Sequence, residues 1–426
     1  VEGINTLMRE FISKYPQDDK IYFAYNSIAG NQVNSADAAG AIATWQEFVK
    51  NYPDHANTPG SMVKIAELQR AQAEKLATNY TSLNEADRTQ WMEAVNASIA
   101  TVEQLLATYP QSPDLAGGLQ SLLAAKRLLL GSQQIDGAQV ESYFQDLSGK
   151  TSDVGARSKV LFTLAGFIAP NDKTRALEKM NEAYNAQVVY SPKDIDIYGL
   201  ALLDAGKPDE ALAVFEKLAA DFPIPAGVEP GAATPNIQEA QATVLFGRGR
   251  VAQEKGQTTE AGEFFKQLKT LYPWSPKGLE ADYGIAQSLR AENKGDEAMP
   301  LLGAIIRAPN ATSELRANSF LLYGHIMKEK AAAETDPAKK TENRASAIDF
   351  FLKIPQFYAG VPAAAAEGLW EGGQLLEEQA SASQDEAFKK QQLGRARMSY
   401  EQIVKEFSND KFAPQALQRL QSLPAQ

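Results

Sequence analysis

Residues 249–276 read GRVAQEKGQTTEAGEFFKQLKTLYPWSP. Gly249 is followed twelve residues on by Ala261, four further by Phe265, and eight further by Pro273. The same steps separate Gly199, Ala211, Phe215 and Pro223. They recur in Ala29, Ala41, Trp45 and Pro53, with Trp in the aromatic place. Ala286, Ala298 and Leu302 keep the twelve and the four, and Pro309 arrives one residue early. Leu164, Ala176 and Met180 make a weaker fifth copy.

Helix packing accounts for each position. A small residue on a first helix lets a second helix approach closely, and the Ala twelve residues later serves the same contact. A large side chain four residues after that Ala lies on the same helical face. It fills the space between neighbouring hairpins. Pro then ends the second helix, because it has no N–H to continue the hydrogen-bond ladder. Gly206 to Asp209 (Gly-Lys-Pro-Asp) reads as the turn within one hairpin, and Gly256 with Thr258 and Thr259 as the turn within the next.

This pattern resembles the tetratricopeptide repeat, a helix–turn–helix unit of about 34 residues with a small residue, A-x₃-F and a closing Pro. The likeness is good over 22–55, 192–225, 242–275 and 279–312. It is degenerate over 157–190 and stretched over 59–110 and 312–409. The large aromatic that often opens the first helix is missing in most copies. The resemblance implies an all-α chain, a right-handed α-solenoid of antiparallel helix hairpins. A second regularity is the hairpin ending. Tyr15-Pro16, Tyr52-Pro53, Tyr109-Pro110, Phe222-Pro223 and Tyr272-Pro273 each close an apolar helix. Such endings resemble those of bacterial envelope tetratricopeptide proteins, which implies a periplasmic location.

Composition narrows the function classes. Against 42 Lys+Arg stand 53 Asp+Glu, a formal net charge of −11. That gives no general footprint for phosphate backbones, so nucleic acid is not an expected partner. There is no Cys and there are only two His, His55 and His325, which leaves no thiolate chemistry and no imidazole cluster for a metal. No cofactor is expected. No apolar run approaches the ~18 residues of a membrane span. The chain opens inside an amphipathic pattern (Ile4, Leu7, Met8, Phe11, Ile12), which points to an upstream signal, lipid anchor or further domain.

Periodicity predicts about twenty helices in three segments. Residues 1–150 hold partly degenerate hairpins, including a long one over 59–110 turned near Thr81 and Ser82. Residues 151–312 hold the regular array, interrupted by a Pro/Gly-rich insertion over 224–235. Residues 313–426 hold extended, degenerate hairpins and a cap. The Ala-rich charged stretches 331–345 and 379–391 read as extended hairpin tips. Only 187–190 approaches a strand pattern, and it is short.

Three catalytic look-alikes fail on context. Gly149-Lys150-Thr151 lacks the earlier Gly of a phosphate loop and has no strand before it. Gly247-Arg248-Gly249 sits in mid-helix with a packing role. Ser61-x-x-Lys64 lacks its companion motifs. The expectation is therefore a non-catalytic scaffold that binds other proteins or peptides. Solenoids offer a concave face lined by first helices. One turn from the small residue, that face should carry Phe246, Arg250, Tyr283, Gln287 and Arg290. Aromatics with Arg are typical interface anchors. Trp274, in Tyr-Pro-Trp-Ser-Pro, is either a staple onto the next repeat or an exposed anchor. Asp196 stands where chaperone-binding relatives carry a clamp residue, a departure from that clamp. The alternatives are the helical part of a larger cell-wall enzyme, or a glycan- or small-molecule-binding lipoprotein.

Overall fold

A computed structural model describes residues 2–76 and 80–424. The described residues form twenty α-helices and two short 3₁₀ turns, and no strand. They group into two compact units, Val1–Tyr190 and Ser191–Gln426, a division the sequence does not announce. Each is a run of antiparallel helix hairpins, an α-solenoid.

The first unit contains α1 (Glu2–Lys14), α2 (Ile21–Asn34), α3 (Ala38–Asn51), α4 (Thr58–Leu76), α5 (Glu85–Thr108), α6 (Leu115–Gly131), α7 (Gly137–Lys150), α8 (Val154–Ile168) and α9 (Lys173–Ala183). The second opens with α10 (Pro192–Asp204) and α11 (Pro208–Asp221). After the insertion come α12 (Pro235–Glu254), α13 (Thr258–Leu271), α14 (Gly278–Ala291) and α15 (Gly295–Arg307). It ends with α16 (Ser313–Ala333), α17 (Pro337–Phe357), α18 (Pro362–Ala382), α19 (Glu386–Glu406) and α20 (Ala413–Ser422).

The regular hairpins share one turn. It reverses on a residue in the left-handed region seven places after the small residue: Gly206 and Gly256, both at φ 71°. Ala36 (φ 62°) and Asn293 (φ 59°) hold the same place without being glycine. Glycine adopts this conformation freely, and a Cβ makes it strained.

Close packing explains why the small residues recur. Phe215 and Phe265 are fully buried. Phe215 is sandwiched between Gly199 of its own hairpin and Gly247 of the next, and Phe265 between Gly249 and Gly284. A Cβ at Gly247 would lie 2.5 Å from the Phe215 ring, and one at Gly249 2.6 Å from the Phe265 ring. Real Cβ atoms do not come so close. The glycines are the slots, and the aromatics are the teeth.

The same clamp survives in the stretched C-terminal hairpins. Phe351 abuts Gly324, and Tyr400 abuts Gly373. Both pairs span 27 residues, where the regular ones span 16. In the regular hairpins the first helix ends five residues after the small residue, and the aromatic comes seven after the second helix begins. In α16–α17 and α18–α19 those counts are nine and fourteen. The additions of four and seven residues are close to one and two helical turns of 3.6 residues, so the clamp keeps its face.

The stretches 331–345 and 379–391 are the tips of lengthened hairpins, and they are built from helix rather than loop. Helix continues through most of both, and only 334–336 and 383–385 lie between helices. Ala, Lys, Glu and Gln are strong helix formers. The side chains of Asp336 and Asp385 accept backbone N–H bonds that start the next helices. The insertion after Phe222 does stay irregular apart from a 3₁₀ turn at Pro230–Ala232. Residues 187–190 form no strand, and Tyr190 is buried with its hydroxyl bonded to the Ala183 carbonyl and the Asn185 N–H.

Candidate functional site

Helices α12, α14 and α16 are successive first helices of the second unit, and a groove of about 710 Å³ opens along them. Arg250, Gln253 and Glu254 from α12 line it, with Tyr283 and Gln287 from α14 and Asn318 from α16. Glu280 and Glu314 add acidic groups. Three residues expected on the binding face, Arg250, Tyr283 and Gln287, therefore share one cavity.

Their polar groups differ in what they already hold. Gln287 accepts a 2.7 Å hydrogen bond from the Gln253 amide, leaving its own N–H₂ free. Arg290, one turn on, donates twice to Glu329 of α16 at 2.9 and 2.6 Å, and does not line this groove. Arg250 and the Tyr283 hydroxyl have no hydrogen-bond partner among the described residues. Burial pushes the Tyr283 phenol up to about 12, so it stays protonated and able to donate at neutral pH. The groove thus presents a guanidinium, a phenol and three amides beside three carboxylates. That set suits the alternating donors and acceptors of a main chain.

Phe246 departs from the expectation. It is 2% exposed, and its ring stands 5.9 Å from that of Phe265. Lys277 Nζ stands 4.8 Å from the centre of the Phe246 ring and pairs with Asp196 of α10 at 2.5 Å. Phe246 is core, sealed by an ion pair. Helices α10 and α12 are in direct contact, as successive first helices are elsewhere in the chain, so this face of α12 meets a neighbouring helix. Asp196 is likewise engaged within the fold.

Trp274 is half exposed and also stapled. Its indole donates to the Gln238 Oε1 at 3.1 Å. The Gln238 amide donates to the carbonyls of Ala233 (2.7 Å) and Gly231 (3.1 Å). The insertion is thus tied to the following hairpin through one glutamine. Beyond the groove, His325 Nε2 lies 3.1 Å from Glu367 Oε1, bridging α16 to α18. The hydrogen bond from His325 holds the Glu367 carboxyl below the usual carboxylate range. Lys328 and Glu371, 2.6 Å apart, bridge the same two helices.

Gln253 and Asn318 are groove residues that the sequence reading does not include. Gln253 lies one turn beyond Arg250 and was reachable by helical spacing. Asn318 was hidden because the α16 hairpin is stretched and its register could not be set. Ser61 donates to the Asn57 carbonyl at 2.9 Å, a helix-start contact, so Ser61-x-x-Lys64 is structural. Among the described residues, no group of His, Asp or Glu could hold a metal ion, and no helix is long and apolar enough to cross a membrane.

The tetratricopeptide repeat family model matches residues 28–55, 197–223 and 243–273. No curated protein matches the chain. Among solved structures, a tetratricopeptide repeat protein from Parabacteroides merdae is similar at 15% identity, with a TM-score of 0.40, over 70% of this chain and 99% of that one. Yeast Tom70 is similar at 14% identity and TM-score 0.33, over 94% and 95%. The tetratricopeptide domain of P58(IPK) is similar at 13% identity and TM-score 0.27, over 94% and 97%. Similarity at these scores says nothing of partner or activity. At these three segments the chain carries tetratricopeptide repeats, each with a small residue sixteen places before a buried aromatic: Ala29 and Trp45, Gly199 and Phe215, Gly249 and Phe265.

Proposed function

We propose that this chain is a non-catalytic interaction scaffold that holds an extended segment of another protein in the groove of Arg250, Tyr283 and Gln287. One observation carries the reading. Among the described residues this groove keeps the Arg250 guanidinium and the partly buried Tyr283 phenol without a hydrogen-bond partner, whereas Arg290 and Lys328 on the same run of first helices are paired with Glu329 and Glu371. Unsatisfied donors in a cleft are what a partner's carbonyls and carboxylates can use. The Tyr-Pro hairpin endings support placing the scaffold in a bacterial envelope, facing periplasmic partners rather than nucleic acid.

The test is photo-crosslinking from a probe amino acid at Asn318, in cells of the source organism. It is repeated with Arg250→Ala and Tyr283→Phe. A defined protein should crosslink to the wild type and drop at least fivefold in both variants, with helicity unchanged. Equal crosslinking in all three, or none in the wild type, would remove this groove as the binding site.

A further inference from the structure

Repeat register explains why a groove opens along α12, α14 and α16. Gly249, Ala286, Gly324 and Gly373 hold the small-residue place on α12, α14, α16 and α18. One residue after that place stand Arg250, Gln287 and His325. Six residues before it, on the following first helix, stand Glu280, Asn318 and Glu367. These positions make three equivalent rungs between successive first helices. The rung of His325 and Glu367 is closed by a contact of 3.1 Å. The rungs of Arg250 with Glu280 and of Gln287 with Asn318 are open. Among the described residues neither pair is joined by a hydrogen bond or ion pair, and all four side chains line the groove.

The open rungs leave an imbalance of charge. Glu367 has its histidine, whereas Glu280 in the same place has no partner among the described residues. Glu314, in the first turn of α16, and Glu254, the last residue of α12, line the groove without a partner too. The helix dipole disfavours an acid at a helix C-terminus, so helix preference does not account for Glu254. Against these three carboxylates the lining holds one cation, Arg250, a net formal charge of −2. Glu254 and Glu314 are exposed and Glu280 and Arg250 half-buried, so all four can meet an occupant.

We infer that the segment held in this groove is basic, an extended stretch that carries Lys or Arg and no nearby acid. This selectivity presupposes that the groove is the binding site, as proposed above, and adds the chemistry that chooses the occupant. One cation lies against Glu280 and does there what His325 does for Glu367. A second meets Glu254 or Glu314. Main-chain carbonyls between them take the donors of Arg250 and Tyr283. Opposite potentials across an interface select the partner, and a carboxylate on the segment would meet like charge.

The probe is an array of blocked octapeptides, acetylated and amidated so that side chains alone carry charge. The best binder is then titrated by fluorescence anisotropy against the full chain. Hits should be enriched in Lys or Arg and depleted in Asp and Glu. Replacing a hit's basic residues by Gln should weaken binding roughly tenfold. Glu280→Gln keeps the shape, removes the charge and should cost roughly fivefold. Glu93→Gln removes the same charge from an exposed place on α5 of the first unit and should change nothing. Arg250→Ala and Tyr283→Phe report on the groove itself and should each weaken binding. Hits that are lost in those two variants yet lack basic enrichment, or stay within twofold of wild type in Glu280→Gln, would overturn the inference and leave the groove standing. Basic hits indifferent to all three groove variants would overturn both. An array without hits, or equal losses in Glu93→Gln and Glu280→Gln, would also refute the selectivity.

Discussion

Adding one methyl group at Gly249 tests the packing rule of the hairpins in which a glycine receives an aromatic ring. In a solvated helix interior, Gly→Ala stabilises by about 1 kcal/mol. At Gly249 the new Cβ would sit 2.6 Å from the Phe265 ring. That ring cannot back away, because Gly284 abuts its other side and the residue is fully buried. Overpacking of this kind costs about 1–3 kcal/mol. The net effect is neutral to about 2 kcal/mol destabilising. Gly30→Ala and Gly166→Ala lie in helix interiors where a Cβ meets nothing within 4 Å, and they should gain the full helix preference. The contrast between Gly249→Ala and these controls is about 1–3 kcal/mol, or roughly 2–12 °C in melting temperature for units near 200 residues. Thermal unfolding by circular dichroism reads it directly. Phe265→Leu in the Gly249→Ala background should recover part of the loss relative to each single change, since a smaller side chain vacates the collision. If Gly249→Ala melts as high as the two controls, the glycine slots are not what sets the hairpin spacing.

Ala36 occupies a left-handed turn position that glycine holds in later repeats, so Ala36→Gly should stabilise by about 0.5–1 kcal/mol and Gly206→Ala should do the reverse. A fall in the urea midpoint of Ala36→Gly would contradict this. Acid should weaken the second unit. Glu216, bonded by Arg248, and Glu367, bonded by His325, both titrate below the usual carboxylate range. Their contribution is complete above the unfolded-state value, about 4.3, and is lost as pH falls through the lower folded values. The melting temperature should therefore hold between pH 7 and about pH 5 and decline below about 4.3. A rise on acidification to pH 3.5 would refute the assignment.

The hairpin pattern was legible because it is local. A step of twelve and then four places three side chains on two facing helices, whatever the rest of the chain does. The groove was legible in part for the same reason. Arg250, Tyr283 and Gln287 sit at fixed offsets from Gly249 and Ala286, and the cavity collects all three. Phe246 was not legible. Whether it faces a groove or a neighbour depends on how α10 meets α12 across the insertion, and helical periodicity carries no information about that. Asn318 and the long helices α16–α19 were obscured because the clamp spacing there changes from 16 to 27 residues.

The two clamp spacings have a consequence for how such an array can change length. One residue rotates everything beyond it by about 100° around the helix axis, so most single insertions would swing the aromatic out of its slot. Growth is tolerated in whole-turn steps on each helix separately, as the additions of four and seven show. Hairpin length is then a ratchet with discrete stops. A graft or deletion that respects those stops should splice into the array, and one that falls between them should not.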